Sequence, residues 1–244
     1  MKISLVFLLF LGSILVSCDD SDVTPESVNI KFKFNALADN SPLVLNTKTY
    51  QNANGDSFNV SDFKFYASNV KLRNSQTGDE YQEPISYHLV HPKGDIPSYT
   101  FELKDVPTKA YDEIVFFVGI DKERNASIDA IGDLDPNNNM AWNWNTGYKF
   151  ILLEGDVFKA NDEKGGLALH VGTDTNYKEI KFKVSPMKFK DTEAEIEFDT
   201  EIMTIFDAPN VIDLSETSTI MFGATADKVA ENYAKMFTLK QINF

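Results

Sequence analysis

Reactive sulfur is nearly missing from this chain: a single cysteine, Cys18, stands among 244 residues. That excludes internal disulfides, a thiolate metal cluster and a cysteine nucleophile within the folded part. Imidazole is almost as scarce, with only His88, His91 and His170, and no two of them form the paired-histidine zinc motif of a helix. A nucleophile elbow and a glycine-rich phosphate loop are also lacking. These absences point to a binding protein, not an enzyme. Basic charge is in deficit: 23 Lys and Arg face 37 Asp and Glu, for a formal net charge of −14. Such a surface disfavours nucleic acid and anionic lipid as partners and favours solubility and cations.

What is present begins at the N-terminus. Met1-Lys2 supplies a short positive start, and Ile3 to Leu11 is an apolar run broken only by Ser4 that continues to Leu15-Val16-Ser17-Cys18. The segment is too short for a comfortable membrane span and reads as a secretory signal over residues 1–17. Leu-Val-Ser-Cys resembles the lipobox of bacterial lipoproteins, in which the cysteine carries the lipid. Residues 18–27 then form a lipidated Cys18 and an acidic tether, Asp19-Asp20-Ser21-Asp22 followed by Thr24-Pro25-Glu26-Ser27, whose composition favours disorder. Acidic residues directly after the lipid site resemble export tags of Bacteroidetes lipoproteins. The expected location is the cell envelope, as an outer-membrane lipoprotein facing the periplasm or the surface, with the membrane reached through the lipid alone.

Residues 28–244 show no internal repeat and no Pro/Gly linker, and are expected to form one domain. Val28 to Phe34 alternates apolar and polar residues, as a half-buried strand does. Further strands are expected at Phe63 to Leu72, Tyr87 to Val90, Tyr99 to Leu103, Tyr148 to Leu153, Leu167 to Val171, Glu179 to Val184, Ala194 to Thr200 and Thr219 to Ala224. Ile114 to Ile120 reads as a strand buried on both faces. Helical spacing is nearly confined to Asp227–Phe237, with Thr225 as its N-cap. The fold class is all-β: an antiparallel β-sandwich with a short C-terminal helix.

The most distinctive stretch runs from Gly132 to Gly155. Both tryptophans, Trp142 and Trp144, stand two residues apart behind an acidic, Asn-rich loop, a spacing that on a strand turns both rings to one face. Asp133, Asp135, Asn137 and Asn139 alternate like the first ligands of a calcium loop. Trp144 stands where the bidentate Glu should be, and the glycine of the sharp turn is missing, so a turn held by Asx side chains is the better reading. His88 and His91 lie three apart, on opposite faces of a strand. His91 precedes Pro92 at a strand end, where exposure is expected. His170 sits inside the apolar run Leu167 to Gly172.

Taken together, Phe65-Tyr66-Ala67-Ser68-Asn69-Val70, Phe117-Val118-Gly119-Ile120-Asp121, His170-Val171-Gly172, Glu197-Phe198-Asp199 and Ala230 to Phe237 resemble the MbnP-like family. Leu134-Asp135-Pro136, Met140, Trp142, Trp144, Gly147-Tyr148 and Leu153-Glu154-Gly155 carry the resemblance most specifically. The family comprises β-sandwich proteins related to the methanobactin-associated periplasmic copper protein of methanotrophs. The resemblance implies copper held by two histidines and a kynurenine made from a tryptophan, with a di-haem, peroxidase-like enzyme as the partner that oxidises it. On this chain it implies Trp142 or Trp144 as the modified residue, His170 as one imidazole, and His88, within its strand, in preference to His91 as the other. Imidazole donors suit copper. The expected function is therefore copper uptake or storage without turnover. The rival is a surface lipoprotein binding a glycan or protein through a tryptophan platform without metal.

Overall fold

The computed structural model describes residues 24–127, 132–142, 147–159 and 163–244. In chain order the strands are β1 (Ser27–Ala38), β2 (Ser41–Pro42), β3 (Tyr50–Gln51), β4 (Ser57–Phe58), β5 (Asp62–Arg73), β6 (Glu80–Gln82), β7 (Tyr87–Val90) and β8 (Ser98–Pro107). They continue with β9 (Glu113–Val118), β10 (Lys149–Phe158), β11 (Lys164–Gly172), β12 (Lys178–Lys183), β13 (Glu193–Glu201), β14 (Thr219–Ile220) and β15 (Phe237–Asn243). Helices α1 (Lys122–Asn125), α2 (Thr204–Asp207) and α3 (Ala224–Tyr233), with 3-10 turns at Gly132–Leu134, Pro136–Asn138 and Asp174–Asn176, complete the described elements.

The smaller sheet runs β15-β13-β1-β2, with β8 also on β1. The larger runs β12-β9-β5-β10-β11-β14 and takes in β3, β4, β6 and β7. Alternation in the sequence decides which face of each strand is buried. In β1, Val28, Ile30, Phe32, Phe34 and Ala36 are buried while Lys31 is exposed. Phe34 is the hub of the core between the sheets: its ring meets Phe101 and Phe198 of its own sheet and Phe65 and Phe116 of the other, all with centroids 5.1–6.0 Å apart.

Pairing is antiparallel throughout except for β1 with β13 and β11 with β14, which run parallel. β9 is buried on both faces, as its continuous apolar run implies. Two expectations need correction. The helix begins at Ala224 after Gly223 and ends at Tyr233, because Phe237 is drawn into β15 opposite Thr200. The strand expected over Thr219 to Ala224 stops at Ile220, since Gly223 takes φ 78°, a left-handed turn before the helix.

The larger sheet is apolar on both sides. Its outer face carries a second cluster built from Tyr66, Leu89, Ile120, Tyr148, Phe150 and Leu152. The segment from Gly132 to Ala141 covers that cluster, inserting Leu134, Met140 and Ala141. The Tyr66 hydroxyl donates to the Asp133 carbonyl at 2.9 Å and the Tyr148 hydroxyl to that of Leu134 at 3.0 Å. This second core positions the site.

Candidate metal centre

Residues directly opposed across paired strands share a face, and residues two apart on one strand do as well. On β5, Phe63, Phe65 and Ala67 enter the core between the sheets. Asp62, Lys64 and Tyr66 therefore look to the outer face. Leu152 of β10 is opposed to Lys64 on one side and to His170 of β11 on the other. Glu154 is opposed to Asp62. His170 thus lies on the outer face, in line with Lys64, and its Nε2 is 2.7 Å from Glu154 Oε1.

The two candidates for a second imidazole part company at β7. His88 is opposed to Ala67, on the side of the core. Its ring stacks on Phe101 of the smaller sheet with centroids 3.6 Å apart and planes within 2°, and its Nε2 is 2.7 Å from Glu83 Oε2. His88 and His170 are on opposite faces of one sheet and do not come together. His91, one residue past Val90, has the parity of Leu89 and lies on the outer face. Its Nε2 is 2.9 Å from Asp62 Oδ1, and its side chain is only 20% exposed, contrary to the exposure expected at a strand end. The carboxylate of Asp62 holds it there.

A row of alternating charge results. Asp62 accepts from His91 on one oxygen and pairs with the Lys64 ammonium at 2.9 Å on the other. Glu154 stands opposite Asp62 and binds His170. The register slips between Lys149 and Ile151, and the Lys149 ammonium reaches the Asn139 carbonyl of the covering segment at 2.9 Å. It also lies 5.8 Å from the Trp142 ring centroid. Trp142 packs on Phe222 with centroids 5.1 Å apart and rests over Gly172, where a Cβ would stand 3.3 Å from the indole nitrogen. Gly172 is two residues from His170 on the same strand, so indole and imidazole are neighbours on one face. A pocket of about 310 Å³, bordered by Lys64, His91, Asp133 and Asn137 to Asn139, opens onto the Lys64 end of the row.

The electrostatics follow from burial and partners. Burial raises the Asp62 carboxyl, but the bonds from His91 and Lys64 outweigh it and hold the group below its ordinary range. Burial pushes the His170 imidazole down, against the opposing pull of Glu154, with Lys149 adding to the depression. Burial likewise lowers Lys149, which Glu154 supports and Lys64 opposes. The balance favours the neutral imidazole, the form that can ligate a metal.

The Asn-rich loop is a pair of 3-10 turns. Asp135 Oδ1 accepts from Asn137 N at 2.8 Å, Asn139 takes φ 62°, and Asp133 Oδ2 accepts from Leu89 N at 2.8 Å. The side chain of Asp135 is spent on the turn, as that reading of the motif expects, and that of Asp133 on β7. Trp142 is 6% exposed and offers no open platform. Trp144 and Cys18 lie outside the described residues. Among the described residues, no group of three or more His, Cys, Asp or Glu is arranged to hold an ion. Sequence reasoning passed over Asp62, Lys64, Lys149 and Glu154. The available signal was a charge embedded in an apolar strand, as in Phe63-Lys64-Phe65 and Leu153-Glu154.

Comparison with known proteins agrees with this architecture. No curated protein matches the sequence. Among solved structures, MbnP from Methylosinus trichosporium superposes with a TM-score of 0.52 at 16% identity, over 82% of this chain and 83% of that one, a likeness of fold. The MbnP family profile matches residues 26–222, nearly the whole of both sheets, and on that match the chain belongs to the MbnP family.

Proposed function

We propose that this protein binds copper at the cell envelope, in uptake or storage, without turning over a substrate. Family membership supports a copper-related role, and one observation carries the reading to residues: His170, His91 and Trp142 share the outer face of the larger sheet beneath the Asn-rich segment. The donor set suits the ion. Imidazoles are good copper ligands, and the chain has no thiolate beyond Cys18 to compete. Carboxylates bound to both imidazoles fix ring orientation, as partners of metal-binding histidines do.

His170 and His91 are the imidazole ligands of this proposal, with His91 replacing His88. Trp142 or Trp144, oxidised to kynurenine by a di-haem partner enzyme, supplies the remaining donor. Opening the indole provides an aniline nitrogen and a ketone oxygen that tryptophan lacks. Cys18 carries the lipid that anchors the domain to the membrane.

The test is metal analysis and intact mass of the protein isolated from its own host after growth in copper. Copper should be present in the wild type and in His88→Ala, and lost from His170→Ala and His91→Ala with the fold kept. Wild-type protein free of copper would sink the reading. Loss in His88→Ala alone would reject the ligand choice.

A further inference from the structure

The row on the outer face contains a cation of its own. His91 Nε2 is aimed at Asp62 and His170 Nε2 at Glu154, and these carboxylates belong to directly opposed residues. Two imidazole–carboxylate pairs thus lie side by side on one stretch of β5 and β10, and among the described residues no three of these groups are arranged to hold an ion. That donor set, freely assembled, suits zinc and other borderline dications. Lys64 stands among them. It is two residues from Asp62 on β5, is opposed to Leu152 between the two histidine-bearing strands, and has a side chain only 9% exposed. Its ammonium is 2.9 Å from the Asp62 carboxylate, and it borders the pocket that leads in from solvent. Lys149 contributes a second buried ammonium close enough to feel both Glu154 and Lys64.

We propose that Lys64 is a built-in counter-ion that sets the selectivity of this site. It neutralises Asp62, holds the space a dication would need, and repels an incoming double charge twice as strongly as a single one at the same distance. A soft monovalent ion, held by imidazole and not by carboxylate, is admitted. The inference rests on the copper reading for its biological sense, but its test does not.

The full mature chain, stripped with a chelator, is titrated with zinc alone against a chromogenic competitor. Lys64→Met should bind zinc about tenfold or more tightly than wild type, and Lys64→Arg, which keeps the charge, should not. Adding His170→Ala to Lys64→Met should abolish the gain, tying it to this row. Lys64→Gln provides a second neutral variant should Lys64→Met fail to fold, as circular dichroism will report. A folded neutral variant with wild-type zinc affinity, or an equal gain in Lys64→Arg, overturns the proposal. Wild-type protein without copper removes the copper reading, while the zinc comparison still decides what Lys64 does.

Discussion

Asp62 and Glu154 face each other across β5 and β10, and each binds the Nε2 of a different histidine. Neither carboxylate need touch a metal to matter, because each sets the direction of an imidazole. Asp62→Asn and Glu154→Gln are expected to keep the fold and weaken copper binding by roughly 10- to 100-fold. Competition with a Cu(I)-specific chelator measures this, and unchanged affinity in both variants would show that the pairs do not orient the ligands.

Gly172 is the floor on which Trp142 lies. A Cβ there would stand 2.4 Å from the Tyr148 carbonyl oxygen, so the backbone of the Ala141–Tyr148 bridge must shift. Gly172→Ala is expected to cost about 1–3 kcal/mol in urea unfolding and to alter the tryptophan fluorescence of the native state. A stable variant with an unaltered spectrum would mean that the indole rests elsewhere.

Phe34 touches rings from both sheets, so its loss opens a cavity that neither sheet can close alone. Phe34→Ala is expected to destabilise by about 3–5 kcal/mol, read by thermal or chemical denaturation. A loss under about 1 kcal/mol would contradict its place as the hub of the core.

Glu197 is buried on the outer face of the smaller sheet. Burial alone would raise its carboxyl, but Asn35 at 2.8 Å, Lys33 at 3.0 Å and Lys240 at 3.1 Å reverse the effect and lower it to about 2. A carboxyl lowered on folding stabilises the native state above its unfolded value, near 4.5, and that stability fades as pH falls toward 2. The contribution is on the order of 3 kcal/mol. Glu197→Gln should therefore be less stable at pH 6 and show a flatter stability profile between pH 4.5 and 2. Parallel profiles for variant and wild type would refute the assignment.

Long strands with one wet face, such as β1, were legible in the sequence, whereas β15 was not, its first residue Phe237 reading as the end of the helix. In β1 the apolar–polar alternation names the buried residues directly, and in β13 it does so for Ala194, Ile196 and Phe198 but misses Glu197. The site was less legible, because its face of the larger sheet is covered as well. Tyr87-His88-Leu89-Val90 has apolar residues on both sides, so parity separates His88 from His91 but does not say which looks into the sandwich. That choice depends on Phe101, a partner for His88 supplied by the other sheet. Lys64, flanked by two phenylalanines, reads as an outward-pointing strand lysine. It is buried only because the Asn-rich segment and His91 close over it, long-range contacts that local pattern does not carry.

The parallel pairing of β1 with β13 has a bearing on biosynthesis. The first strand of the domain finds one neighbour in β8, within the first half of the chain, but the other at residues 193–201, and that neighbour in turn needs β15 at residues 237–243. A polypeptide delivered amino end first keeps an unfilled edge on β1 until residues 193–201 emerge. Closure of the smaller sheet is therefore a late event, and shortening the carboxyl end by even the last strand would leave β13 with an open, aggregation-prone border.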